Sequence, residues 1–281
     1  MAEALLLSTT RVSTFQGPRA LTGATGFFYE TGQRLFLVTS RHVLRDDATK
    51  HWPDRIEIVL HTDARNLTRV TVLSLLLYRD GRAMWRQAVD GGGEVDVAVI
   101  ELDRSVLPPD AVLRTFGPRH LRADPGSVEV GTPLLLVGFP LGFYDTLHHL
   151  PVARHAIVAS SYGLRFQGEG YFLTDARMHR GTSGAPVVVR SEAAEGDMPW
   201  RLLGVHSGRM DMDSRDRMQD ETLGLNCAWY ADILLALTDE RPREAVAEQV
   251  KPADAQPVVA PAPPLPPAGA PASAAKGARR A

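Results

Sequence analysis

The stretch HRGTSGAPVVV (179–189) decides how this chain is read. It sets Ser183 in a Gly-x-Ser-Gly turn that runs directly into an apolar strand. Gly181 gives the backbone access to conformations closed to residues with a Cβ, so the amides of Gly181 and Ser183 are expected to converge on one point. Two converging N–H donors beside a hydroxyl form an oxyanion hole, although Gly-Thr-Ser-Gly is also ordinary turn chemistry.

A serine hydroxyl is a weak nucleophile until a base takes its proton, so the turn calls for a histidine close in space. Of the nine histidines, His42 is the best placed, because it follows the apolar strand LFLVTS (35–40) and a packed strand end would hold it rigidly. Asp96 enters the apolar run DVAVIEL (96–102), where a carboxylate is costly unless a partner such as an imidazole N–H meets it. Glu94 and Glu101 are expected to face solvent on the strand alternation.

Short runs rich in Val, Ile, Leu, Phe and Thr, punctuated by Gly, Pro, Asp and Asn, fill the chain from Ala24 to Trp229, which is an all-β pattern. The first series predicts strands at 24–30, 34–40, 55–61, 68–78 and 95–102. A proline-bearing segment at 103–126 reads as a connector across the surface. The second series predicts strands at 128–139, 153–160, 171–175, 185–190, 201–207 and 222–229. Two strand sets of similar size suggest two closed barrels, since closure removes exposed edges. Helical spacing of Ile233, Leu234 and Leu237 predicts a helix over 230–240 that caps the second barrel.

The four segments TGFFYETGQRLFLVTSRHVL, EVDVAVIEL, VGFPLGF and LTDARMHRGTSGAPVVV, in that order, resemble chymotrypsin-like serine peptidases, especially the bacterial HtrA-like domains. The resemblance spans about residues 22–235. It implies two six-stranded antiparallel barrels, with barrel one about 1–110 and barrel two about 125–229. It implies a triad in the cleft between them, His42 as general base, Asp96 orienting it and Ser183 as nucleophile, with oxyanion amides from Gly181 and Ser183. His42 Nε2 is then expected about 2.6–3.2 Å from Ser183 Oγ. Ala185 and Thr182 depart from the usual Asp-Ser-Gly-Gly pattern in this turn. No activation sequence and no PDZ-sized module after residue 240 extend the likeness. Asp175, in the Thr-Asp-Ala segment, is expected to make a structural hydrogen bond.

The strand RLLGVHSGR (201–209) resembles the S1 wall of glutamyl endopeptidases and picornavirus-type main proteases. This implies His206 in S1, Gly208 leaving room for substrate backbone, and Arg177 adding positive charge for a Glu or Gln side chain. The competing reading is a satisfied strand histidine and a solvated arginine.

Composition bounds the remaining possibilities. A net charge of −2 over 281 residues gives no reason to expect a nucleic-acid or acidic-membrane surface. The single cysteine, Cys227, permits no intramolecular disulfide and favours a reducing compartment, so a cytoplasmic location is expected. The leading MAEALLLSTTRV lacks the pattern of a signal peptide. No metal or cofactor is expected. Adjacent His148 and His149 on a strand would point opposite ways, the acidic loop 211–221 lacks the EF-hand glycine, and Gly91-Gly92-Gly93 reads as a hairpin tip. The Pro/Ala-rich segment 241–281 is expected to be a disordered tail. The partner is a protein or peptide substrate, with the tail a second candidate partner-binding element. Two rival readings share the fold: a catalytically silent binding module, and an esterase using the same triad.

Overall fold

The computed structural model describes residues 2–121, 127–191, 196–210 and 223–239. The acidic loop and the proline-rich tail lie outside them.

The first half contains β1 (Thr9–Gln16), β2 (Arg19–Thr31), β3 (Arg34–Thr39), β4 (Arg55–His61), β5 (Val70–Leu76), the short hairpin β6 (Tyr78–Arg79) and β7 (Arg82–Ala83), β8 (Trp85–Asp90) and β9 (Gly93–Leu102). Seven of these pair antiparallel in the order β5-β4-β1-β2-β3-β9-β8. The second half, β10 (Pro133–Gly138), β11 (Val152–Val158), β12 (Tyr171–Asp175), β13 (Pro186–Arg190), β14 (Trp200–Arg209) and β15 (Leu225–Tyr230), closes into a six-stranded barrel. The fold is chymotrypsin-like and mostly β; the helices that matter to it among the described residues are the short α1 (Ala4–Leu7), α2 (Arg41–Leu44) and α3 (Ile233–Leu237).

All six strands of the second series fall where the apolar runs lie. In the first half two strands carry little apolar signal. β1, with sequence TTRVSTFQ, buries Thr10 and Thr14 beside Val12. Those threonines are tolerated inside because Thr10 Oγ1 donates to the Val59 carbonyl at 2.8 Å and Thr14 Oγ1 pairs with Thr22 Oγ1 at 3.0 Å. In β8 the buried Gln87 accepts from Trp85 Nε1 at 3.2 Å.

The alternation of β3 and β9 explains how two cores share one sheet. Leu35 and Leu37 of β3, with Ala98, Ile100 and Leu102 of β9, join the core within the first half. Phe36 and Val38, with Val95, Val97 and Val99, point the other way into a cluster shared with Val137, Val188, Val205 and Trp229 of the second half. Side chains that alternate across a strand make this possible only when both faces are apolar, as in RLFLVT and VDVAV. A third cluster around Phe172, Leu134 and Val187 fills the closed barrel.

Two expectations are corrected here. The 103–126 connector does more than cross the surface: Phe116 is fully buried in the shared cluster, edge-on to Phe27 at 5.6 Å, and its backbone bonds Phe28 and Glu30 of β2. Helix α3 packs on β8 and inserts Leu234 and Leu237 into the shared cluster, so it seals the junction between the halves and does not cap the second barrel alone. Arg34 and Arg86, from the first half, donate to the carbonyls of Thr238 and Leu237 and hold the helix there.

Among the described residues no helix is long and apolar enough to cross a membrane.

Candidate active site

His42 leaves the end of β3 on the one-turn helix α2, whose start follows the buried Ser40. Asp96 stands three residues into β9, the neighbour of β3. The antiparallel register sets Thr39 opposite Ala98, which carries the residues after Thr39 past Asp96. Asp96 Oδ1 accepts the His42 backbone N–H at 2.8 Å, and Asp96 Oδ2 lies 2.7 Å from His42 Nδ1. Ser207 Oγ donates a further hydrogen bond to Asp96 Oδ2.

These contacts set the charges. Burial works against ionisation of Asp96, but the His42 and Ser207 hydrogen bonds outweigh it and hold the carboxyl below its usual range. Burial likewise works against protonated His42, and here the Asp96 hydrogen bond and charge, with a smaller contribution from Asp46, raise the imidazole above its ordinary value.

Ser183 is held from both halves. Its carbonyl accepts the Thr25 N–H at 3.0 Å, and the Gly184 N–H donates to the His206 carbonyl at 2.7 Å. Thr25 Oγ1 donates to the Gly181 carbonyl at 2.7 Å and accepts the Phe139 N–H at 3.2 Å. Gly181 (φ 95°) and Gly184 (φ 86°) both need the left-handed region, and a Cβ on Gly181 would sit 2.4 Å from the Phe139 carbonyl oxygen. With its carbonyls tied back in this way, the turn leaves the Gly181 and Ser183 amides without an acceptor among the described residues. That is the state an oxyanion hole requires.

His42, Gly181 and Ser183 line one cleft of about 720 Å³. The expected hydrogen bond from Ser183 Oγ to His42 Nε2 is not formed, although Asp96 has already fixed the ring. Contacts of this kind tighten when substrate is in place.

The proposed S1 residues lie elsewhere. His206 is 2 % exposed, burial pushes its pKa down to about 4, and its Nδ1 has no hydrogen-bond partner. Its carbonyl is occupied, accepting from the Gly184 N–H of the Ser183 turn and from Ser40 Oγ. Arg177 is exposed, Met178 is buried, and space is open beside Gly208. None of His206, Arg177 and Gly208 lines the cleft that holds Ser183. Asp175 is exposed and makes no side-chain hydrogen bond among the described residues, so its expected structural role is not fulfilled. Its position at the end of β12 points it away from the core. Glu94 and Glu101 do face solvent, paired with Arg41 and Arg34.

Sequence reasoning missed Ser207 and Thr25. Ser207 is the extra residue of a β-bulge, since His206 pairs with Ala228 and Gly208 with Cys227. The bulge re-aims its hydroxyl at Asp96. No local pattern announces a bulge in VHSGR. Thr25 lies in the ordinary strand run GATGFF, and only the fold brings it to Gly181.

The model of the trypsin-like peptidase domain family matches residues 24–194. The chain belongs to that family. The HtrA-type protease AlgW, solved with a tripeptide, is similar at 16 % identity with a TM-score of 0.50, covering 82 % of this chain and 58 % of that one. A serine endoprotease from Yersinia pestis is similar at 14 % identity and TM-score 0.47, covering 82 % and 61 %. An inactive form of a mutant M. tuberculosis protein is similar at 15 % identity and TM-score 0.44, covering 83 % and 86 %. This trypsin-like chain thus spans about three fifths of the length of the AlgW and Yersinia chains. A search of curated proteins finds no match.

Proposed function

We propose that the chain is a serine endopeptidase in which Ser183 attacks the scissile carbonyl, His42 is general base and then general acid, and Asp96 orients the histidine. The observation that carries this reading is the pair of contacts from one carboxylate to both the backbone and the ring of His42, in the cleft that also holds Ser183. With Nδ1–H held by Asp96, Nε2 is left as the basic nitrogen of a ring that lines the same cleft as Ser183. As the carbonyl becomes tetrahedral, the Gly181 and Ser183 amides stabilise the oxyanion. His42 then hands its proton to the departing amine, and water repeats the cycle on the acyl-enzyme.

A preference for Glu or Gln before the cut bond requires His206, buried outside the open cleft but bonded through its carbonyl to the Gly184 N–H beside Ser183, to become accessible when substrate enters. A neutral, buried imidazole with one nitrogen unpaired has a hydrogen bond to offer a side-chain carbonyl or carboxylate. A chain that closes its fold with Cys227 as its one cysteine, that thiol pushed up to about 12 by burial, is suited to a reducing cytoplasm.

Hydrolysis of a casein digest by the full chain and by Ser183→Ala tests the activity, with cleavage sites read by mass spectrometry. Cuts after Glu or Gln, absent from the variant, are expected. Cuts mainly after Lys, Arg or large apolar residues contradict the His206 reading, and equal turnover of the two chains contradicts the nucleophile.

A further inference from the structure

The cleft does not end at the catalytic pair. From Ser183 it runs past His42 to the loop Asp46–Trp52 on one side and the β1–β2 hairpin on the other. Three basic side chains stand exposed around it: Arg19 on the hairpin, Lys50 on the loop, and Arg180 beside the Gly181–Ser183 turn. Among the described residues none of the three has an acidic partner. Among the described residues the one carboxylate in the cleft wall is Asp46, which accepts from the Ala48 N–H at 3.1 Å and from Thr49 Oγ1 at 2.6 Å. With three cations against this single carboxylate the described lining is basic, on a chain whose net charge is −2.

The direction of the cleft follows from the chemistry. His42 must deliver its proton to the leaving amine, so the part of a substrate after the cut bond lies on the His42 side of Ser183. The cleft extends on that side. Arg180 is held near the reacting centre because its carbonyl accepts the Leu141 N–H at 2.6 Å, and Arg19 is fixed by the tight hairpin in which it pairs with Gln16. Trp52, pinned to Asp47 through Nε1 at 2.8 Å, adds a flat apolar wall.

We infer that this cleft selects polypeptides carrying Asp or Glu in the first few positions after the cut bond, with Arg19, Lys50 and Arg180 as the specificity-determining residues. The inference rests on the endopeptidase reading and adds to it the class of leaving segment. Cations in a concave site focus their field on a ligand, and each exposed pair contributes about a two- to fivefold preference.

The test uses the full chain carrying Ser183→Ala and fluorescein-labelled peptides with Gln before the central bond. One peptide carries Asp and Glu after that bond, a second carries Asn and Gln there, and a third carries the acids before it. The first is expected to bind roughly tenfold more tightly than the second, a margin that shrinks from about 50 to about 500 mM salt. It is also expected to disappear when Arg19→Gln, Lys50→Gln and Arg180→Gln are combined. The salt series needs no altered cation, so it stands even if the combined variant folds poorly. Equal affinity of the first two peptides overturns the inference, as does a margin kept in a folded triple variant or an equal margin for the third peptide. Labelling of the unaltered chain by a fluorophosphonate reports separately on the nucleophile: a chain that keeps the acidic preference but is not labelled supports the basic cleft and overturns the endopeptidase reading.

Discussion

Asp96 holds His42 at two points, its Oδ1 on the backbone N–H at 2.8 Å and its Oδ2 2.7 Å from the ring Nδ1. One carboxylate thereby fixes the position, the tilt and the tautomer of the imidazole. Replacing it by the isosteric amide, Asp96→Asn, keeps the shape but lets the side-chain N–H₂ face Nδ1, which favours the wrong tautomer. A fall in kcat of about 10⁴ is expected with KM nearly unchanged; the magnitude is that known for the corresponding change in the prototype triad. Steady-state kinetics on a peptide substrate checks it.

The same pair sets the pH profile. With His42 as the proposed general base, only its neutral form can take the serine proton, so kcat/KM is expected to rise with pH through the pKa of His42. Burial lowers that pKa, but the Asp96 hydrogen bond and charge raise it by more, so the acid limb is expected above the ordinary histidine value of 6.5. Asp46→Asn removes a smaller contribution of the same sign and is expected to move the limb toward lower pH. A limb that moves upward in that variant contradicts the assignment.

Thr25 couples the two halves at the Gly181–Ser183 turn. Thr25→Val deletes the hydroxyl that bonds the Gly181 carbonyl and receives the Phe139 amide. With the turn freed to shift, kcat is expected to fall about 10–100-fold, more than KM rises. Leaving a buried N–H unpaired also costs about 1–3 kcal/mol of stability. Thr25→Ser, which keeps the oxygen, is expected to restore most of the loss in kcat. Thermal unfolding and kinetics together separate the two effects.

Gly184 has no room for a side chain. A Cβ there would lie 2.2 Å from the Thr25 carbonyl oxygen and 2.5 Å from Thr39 Oγ1, at a φ of 86° that disfavours alanine. Gly184→Ala is expected to cost about 3 kcal/mol, or roughly 5–10 °C in Tm, and to displace Ser183. Calorimetry measures the first and substrate turnover the second.

How much of this was legible in the sequence varies with the kind of signal. The second barrel could be read strand by strand because runs such as PLLLVG and PVVVR are apolar and bounded by turn residues. β1 escaped because threonine hydroxyls, satisfied within the sheet, hide a buried strand behind a polar sequence. His42 and Asp96 were accessible to reasoning because a carboxylate at the head of an apolar strand demands a partner. Ser207 was not, since its aim depends on a one-residue bulge that only the pairing of β14 with β15 creates. The role of α3 was misplaced for a similar reason. Its apolar stripe is plain in ILLAL, but which half it covers is set by Arg34 and Arg86, far away in the chain. The basic cleft, too, exists only in three dimensions, where positions 19, 50 and 180 line one cleft.

The central claim is that the Ser183 hydroxyl is made reactive by His42. Fluorophosphonate labelling of the full chain, followed by digestion and mass spectrometry, tests it most directly. A single adduct on Ser183 is expected, lost in Ser183→Ala and slowed by orders of magnitude in His42→Ala while both variants unfold at temperatures close to that of the parent chain. Labelling at the same rate in all three chains, or an adduct on another residue, would contradict it.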